Sequence, residues 1–335
     1  MREPAFWHRQ TLWPSRLLAP VGFVYGAITS RRMAQPGERA AVPVICVGNY
    51  HVGGAGKTPT VLALAALLKA LGERPCVVSR GYGGSLSGPV AVDPQQHGAA
   101  EVGDEPLMMA ADVAVIVARD RAAGARLACA RDASVILLDD GFQNPSLVKD
   151  ASLIVIDSQR GLGNGAVFPA GPLRAPLAPQ LARTDALIIV GDGQAASPVA
   201  AAVAARGKPV LRARLRPEQA SCDALRGHKC LAFAGIGDPG RFFATLRASG
   251  IAVSREMVFP DHHPFAASEI EALAATAARD QLTLVTTQKD YVRLMSDKAV
   301  AASASTIVPF RVTLEIGEGD ALRELVMSVL RARRG

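Results

Sequence analysis

The chain has 335 residues, with 37 Lys and Arg against 30 Asp and Glu, a net charge of +7 and a pI of about 9.4. That length suits about two domains, and 49% hydrophobic with 20% charged residues excludes wholesale disorder. Cys46, Cys76, Cys129, Cys222 and Cys230 form no CxxC pair or zinc spacing, which argues for a reducing compartment. The basic excess is mostly Arg and comes with no RNP-type aromatic motif, zinc finger or long basic run, so nucleic acid is not an expected partner.

Residues 1–39 differ from the rest. Arg2, Arg9, Arg16, Arg31, Arg32 and Arg39 outnumber Glu3 and Glu38, interleaved with Phe6, Trp7, Trp13, Leu17, Leu18, Phe23, Val24 and Tyr25. Phe6, Trp13, Leu17 and Val24 fall roughly on one helical face. Trp and Arg on such a helix suit an interface with anionic lipid; a helix docked on its own core explains the composition equally well. The longest apolar run, residues 17–28, is too short to span a bilayer. No signal-peptide cleavage pattern follows, so the protein is expected to stay inside the cell.

Beyond residue 41 the pattern becomes regular. Apolar runs at 42–47, 76–79, 113–117, 135–138, 153–156 and 187–190 read as buried strands, with helices such as 58–71 and 120–131 between them. Continuous apolar strands alternating with helices imply a doubly wound parallel α/β sheet. The Gly- and Pro-rich stretch 158–184 is long enough to expect a functional loop. A second α/β set follows: strands 230–234, 251–259 and 283–286 with helices 239–249 and 267–279. The expected organisation is an N-terminal amphipathic segment (1–40), a nucleotide-binding domain (41–225) and a smaller α/β lobe (226–335).

Four segments can carry chemistry. In V-G-N-Y-H-V-G-G-A-G-K-T-P (47–59), a strand enters a glycine loop and Gly56-Lys57-Thr58 opens a helix. Backbone N–H groups of Gly53, Gly54, Ala55 and Gly56 would face phosphate oxygens, Lys57 would reach the β/γ-phosphates and Thr58 would ligate Mg²⁺. His51 breaks the strict G-x4-G-K-T spacing, leaving a GGxGKT variant loop. An apolar strand ending in Asp139-Asp140 resembles a Walker B segment, whose carboxylate positions Mg²⁺. Glu101-Val-Gly-Asp104-Glu105-Pro106 reads first as a helix cap, with a general base as the alternative. In Pro260-Asp261-His262-His263-Pro264, one histidine could assist a carboxylate base, or both could be surface residues.

Together these segments resemble the tetraacyldisaccharide 4'-kinase (lipid A 4'-kinase) family. The resemblance rests on the glycine loop, S-R-G-Y-G-G (79–84), V-G-D-E-P (102–106), L-D-D-G-F-Q-N (138–144), P-A-G-P-L-R (169–174), F-A-G-I-G-D-P-G-R-F-F (233–243), F-P-D-H-H-P-F (259–265) and T-T-Q-K-D (286–290). It implies ATP- and Mg²⁺-dependent phosphorylation of the 4'-hydroxyl of a tetraacyl disaccharide 1-phosphate, giving lipid IVA. It also implies a peripheral protein on the cytoplasmic face of the bacterial inner membrane, with the nucleotide between two lobes. Residues 6–25 are expected to lie in the anionic membrane interface and help capture substrate, and no obligate protein partner is evident. The roles implied are Asp104 as base with His262 as its partner, Lys57 on the phosphates, Thr58, Asp139 and Asp140 around Mg²⁺, Arg174 near the transferred group, and Gln143 and Glu105 in support. Two positions depart from the family pattern: Asn144 stands for a His and Gln288 for a Glu. A nucleotide-driven switch with a GGxGKT loop is the competing class, although Val52 replaces the Lys that such loops often begin with. A membrane scaffold would leave Lys57-Thr58 and Asp139-Asp140 unexplained.

Overall fold

The computed structural model describes residues 4–8 and 13–334; Arg2, Glu3 and Arg9 of the basic N-terminal stretch lie outside them. Helix α1 (Trp13–Met33) is followed by β1 (Val44–Gly48), α2 (Lys57–Ala70), β2 (Pro75–Ser79), β3 (Val90–Ala91), α3 (Ala99–Val102), α4 (Asp104–Met109), β4 (Ala114–Val117), α5 (Arg121–Ala130) and β5 (Val135–Asp139). Then come β6 (Ala151–Asp157), α6 (Leu177–Leu181), β7 (Ala186–Val190), α7 (Ser197–Ala204), β8 (Val210–Pro217) and α8 (Gln219–Leu225). The remaining elements are β9 (Lys229–Ala234), α9 (Pro239–Ala248), β10 (Ala252–Val258), α10 (Ala267–Arg279), β11 (Thr283–Thr287), α11 (Gln288–Ser296), α12 (Lys298–Ala304), β12 (Val308–Phe310), β13 (Val312–Ile316) and α13 (Gly319–Arg334).

The larger sheet has nine strands in the order β13-β8-β7-β6-β1-β5-β2-β4-β3, parallel except for the two antiparallel edges. Its middle strands β1, β5, β6 and β7 read as unbroken apolar runs because both faces are covered, whereas β8 and β13 at one edge alternate. Successive side chains point to opposite faces. Ile45, Val47, Leu137 and Val155 thus pack beneath Val61, Leu64 and Leu68 of α2 and Leu322 and Val326 of α13. Val44, Cys46, Ile136 and Leu138 pack on the other face with Ala125 and Ala128 of α5 and Val199 and Val203 of α7.

The second sheet is four-stranded and parallel, in the order β10-β9-β11-β12. Leu231 and Phe233 meet Ile270 and Leu273 of α10. On its other face, Cys230, Ala232 and Ala234 meet Phe242, Phe243 and Leu246 of α9. The chain does not finish in this lobe, as the boundary 226–335 would have it. β13 pairs antiparallel with β8, and Leu322, Val326, Val329 and Leu330 of α13 close one face of the large sheet. The smaller lobe therefore ends near residue 311.

The N-terminal helix uses both of its faces. Small residues Ser15, Gly22 and Gly26 let it lie directly on the loop that follows β6: Ser15 Oγ donates to the Ala170 carbonyl at 2.8 Å. Trp7 turns inward, donating from Nε1 to the Pro169 carbonyl at 3.1 Å and meeting Phe168 edge-on, so it is not among the exposed aromatic residues. The opposite face presents Trp13, Leu17, Val21, Val24 and Ile28 to solvent, and Phe23 is exposed on a flank. Among the described residues no helix is long and apolar enough to cross a membrane.

Candidate active site

β1 lies at the middle of the large sheet, and the glycine loop leaves its carboxyl end to enter α2. Gly53 and Gly56 have φ of 104° and 87°, the left-handed region that glycine enters without strain. The Asn49 side-chain amide donates to the Gly53 carbonyl at 3.1 Å, and the Thr60 hydroxyl donates to the Gly56 carbonyl at 2.9 Å. A Cβ on Gly54 would meet nothing within 4 Å, so the loop mouth is open there. Lys57 and Thr58 occupy the first turn of α2, where free N–H groups and the helix dipole favour a phosphate.

β5 runs beside β1, bringing Val47 level with Asp139. Asp140 follows with φ of 50°, a conformation Asp tolerates better than most residues. That turn points its carboxylate at two cations: Lys57 Nζ lies 3.7 Å from Oδ1, and Arg174 Nη1 donates to the same oxygen at 2.7 Å. Burial opposes its charge, but Lys57 and Arg174 hold its pKa down at about 2. Asp139 is the reverse. Burial, reinforced by Glu105 and Asp140, pushes its carboxyl up to about 7, and Ser79 Oγ donates to Oδ2 at 2.9 Å.

This pattern fits a divalent cation. Thr58, Asp139 and Asp140 offer only hard oxygen donors, as Mg²⁺ requires. A buried carboxyl pushed up by burial and like charge regains its charge when a cation sits beside it. Among the described residues no group of three or more His, Cys, Asp and Glu could hold a metal unaided. Such a site takes one or two carboxylates and completes itself with nucleotide phosphates and water.

Gln143 supports the loop from behind, donating to the Asn49 carbonyl at 2.7 Å and to Gln180 Oε1 at 2.9 Å. Asn144 caps a turn through its side-chain oxygen, which accepts from Ser146 N–H at 2.9 Å, a task that needs no titrating group. Arg174 is carried by the loop after β6, whose backbone pairs with the glycine loop through Arg174 N–H to the Tyr50 carbonyl at 2.8 Å.

A second cluster sits where the lobes meet. Asp104 opens α4 and is buried, after Gly103 at φ 89°, where a Cβ would approach the Tyr82 carbonyl to 2.6 Å. Glycine there lets the R-G-Y-G-G loop lie against the start of α4. His262 Nδ1 donates to Asp104 Oδ2 at 2.9 Å, across 158 residues of sequence. Arg293 Nη2 donates to the same oxygen at 2.6 Å, and Lys289 Nζ is 3.2 Å from Glu105 Oε1. Burial alone would raise the Asp104 carboxyl, but His262, Lys289 and Arg293 hold it well below the usual carboxylate range. Glu105 ties the clusters together, because its charge is among those that raise Asp139. Elsewhere along the boundary, Arg241 pairs with Asp157, and Arg160 with Asp238 at 3.2 Å.

Sequence reasoning does not single out Ser79, Arg121, Lys289 or Arg293 for these roles. Ser79 opens S-R-G-Y-G-G and Lys289 lies in T-T-Q-K-D, so both stand inside motifs already noticed. Arg121 is buried at the start of α5 and donates to the carbonyls of Ala118 at 2.7 Å and Asp139 at 3.3 Å. Only its burial distinguishes it from the other arginines.

Comparison with known proteins shows the family. A model of the family LpxK, tetraacyldisaccharide-1-P 4'-kinase, matches residues 14–331. Proteins named tetraacyldisaccharide 4'-kinase from Rhodopseudomonas palustris (strain BisB18) and Nitrobacter winogradskyi are 64% and 62% identical to this chain. They match over 100% of it, and over 97% and 99% of their own lengths. The crystal structure of LpxK from Aquifex aeolicus in complex with ATP superposes with a TM-score of 0.73 at 27% identity, covering 94% of this chain and 99% of that one. The chain belongs to the tetraacyldisaccharide-1-P 4'-kinase family and is a kinase of lipid A biosynthesis.

Proposed function

We propose that the chain transfers the γ-phosphoryl group of ATP to the 4'-hydroxyl of a tetraacyldisaccharide 1-phosphate, with Asp104 as the general base. The observation that carries this reading is a buried carboxylate at the lobe boundary, hydrogen-bonded to His262 at 2.9 Å, whose neighbour Glu105 acts electrostatically on Asp139 at the end of β5. Phosphoryl transfer depends mainly on positioning and charge neutralisation. Lys57 and Arg174 supply the cations; both face the single carboxylate of Asp140 and would turn to phosphate oxygens when nucleotide enters. Thr58, Asp139 and Asp140 would hold Mg²⁺, which would neutralise phosphate charge. Gly53, Gly54, Ala55 and Gly56 would cradle the phosphates, with Gln143 and Glu105 in support.

Asp104 accepts the hydroxyl proton as the sugar oxygen attacks phosphorus, and His262 orients the carboxylate. The exposed face of α1 supports a peripheral place on the cytoplasmic face of the inner membrane. There its apolar side chains would enter the interface, and Arg16, Arg31 and Arg32 would meet anionic headgroups. The test is transfer of labelled γ-phosphate to detergent-dispersed tetraacyldisaccharide 1-phosphate. A general base contributes about 10²–10⁴-fold, so Asp104→Ala should lose turnover in that range while ATP still binds. Wild-type turnover in Asp104→Ala would remove it from the mechanism.

A further inference from the structure

We propose that α11 is a two-point clamp on the base: Lys289 and Arg293, one helical turn apart, are positioning residues that fix the Asp104–His262 pair across the lobe boundary. This deepens the reading above and rests on Asp104 as the base. Asp104 belongs to the large lobe, yet its side-chain partners His262, Lys289 and Arg293 all come from the smaller one. The charged and titratable groups around it are Glu105 on its own helix, Asp261 and His262 from the loop after β10, and Lys289, Asp290 and Arg293 from α11.

The two carboxylate oxygens are used differently. Oδ2 accepts from His262 at 2.9 Å and Arg293 at 2.6 Å, and lies 3.8 Å from Lys289 Nζ. Oδ1 accepts the Glu105 backbone N–H at 2.9 Å. A carboxylate oxygen has two lone pairs, so Oδ1 keeps one for the sugar hydroxyl while the clamp occupies Oδ2. Arg293 is itself held. Its Nη1 donates to Asp290 Oδ1 at 2.9 Å and to the His263 carbonyl at 3.2 Å. Asp290 is fully buried and accepts from Gly235 N–H at 3.0 Å and from Thr287 Oγ1 at 2.8 Å.

Lys289 braces the far side of the histidine ring. Its Nζ lies 3.3 Å from His262 Nε2. Burial opposes the ammonium, but Glu105, Asp104 and Asp261 hold its pKa above the ordinary lysine value. An ammonium only donates, so Nε2 accepts and the ring proton is left on Nδ1, the nitrogen that faces Asp104.

The test measures kcat, KM for ATP and the pH–rate profile in Arg293→Gln, Arg293→Lys and Lys289→Met, with ¹⁵N spectra of the His262 ring. Loosening a reacting group by about 1 Å costs up to about 100-fold. Arg293→Gln is therefore expected to lower kcat about 10- to 100-fold with KM for ATP near wild type, and Arg293→Lys to recover part of the loss. The active form is the carboxylate, and activity disappears as pH falls through its pKa. Without the guanidinium, burial is less opposed, so the acid limb moves to higher pH. Lys289→Met should lower kcat with KM for ATP near wild type, while the Asp104 carboxylate, which can only accept, keeps the His262 proton on Nδ1. Because Arg293→Gln leaves the Asp290 charge alone, Arg293→Gln/Asp290→Asn serves as the variant that buries no lone charge, and the same shift is expected there. Wild-type kcat with an unmoved acid limb in Arg293→Gln, or wild-type kcat in Lys289→Met, would overturn the clamp. A dead Asp104→Ala alongside those results would leave the base in place and remove only the clamp; an active Asp104→Ala would remove the base itself.

Discussion

The interfacial role proposed for the exposed face of α1 predicts a measurable dependence of vesicle binding on its side chains. Leu17, Val21 and Val24 lie along it with 70%, 55% and 57% of their surface open. Burying a whole Leu or Val side chain contributes about 1.5–3 kcal/mol, so at these exposures the three together should contribute about 3 kcal/mol to an interface. Replacing all three with Gln, a good helix former, should weaken partitioning onto vesicles roughly 100-fold, since about 1.4 kcal/mol is a factor of ten. Co-sedimentation with vesicles of anionic phospholipid reads this directly. The Tm should stay near wild type, because the face packs on nothing. Residual binding by Arg16, Arg31 and Arg32 should fade as salt rises. Vesicle binding within twofold of wild type, with Tm unchanged, would refute the interfacial role of this helix.

Two further outcomes are expected. Gly22→Val places a Cβ 2.9 Å from the Val167 carbonyl and 3.4 Å from Ala170 Cβ, so α1 should undock at a cost of about 1–3 kcal/mol; an unchanged Tm and unchanged protease sensitivity around residue 39 would contradict that packing. Asp139 titrates near 7 because burial raises it, so in metal-free protein it is largely protonated at about pH 6. Binding of Mg²⁺ with ATP favours the carboxylate and should release a proton there, and much less at about pH 8. Calorimetry in two buffers of different ionisation enthalpy measures the release, and equal heats at the lower pH in both would rule it out.

The middle of the large sheet was readable in the sequence because its strands are buried on both sides: V-I-C-V, V-I-L-L and L-I-V-I have no polar face to blur them. The glycine loop was readable because strand, GKT and helix are contiguous. The Asp104–His262 contact joins residues 158 apart, and no local pattern encodes it; the family resemblance alone suggested it. Arg293 is one arginine among many and becomes distinctive only when α11 is laid against α4. β13 was not assignable either. V-T-L-E-I alternates, as an edge strand of either sheet would, and only its pairing with β8 decides. For α1 the composition allowed two readings, and its small residues and its large apolar ones turn out to occupy different faces.

The return of β13 to the large sheet makes the smaller lobe an insertion. Its two crossings run side by side, with Glu218 N–H donating to the Arg311 carbonyl at 3.0 Å and Arg311 N–H to Ser221 Oγ at 3.1 Å. Chains are made from the amino end at about 5–20 residues per second, and domains tend to fold as they emerge. Here the larger domain cannot. The hydrophobic face that Leu322, Val326, Val329 and Leu330 cover waits uncovered until the whole smaller lobe has left the ribosome. For several seconds at that rate, the nascent chain carries a finished phosphate loop on an unfinished core, and nascent-chain chaperones would find their natural target on that face.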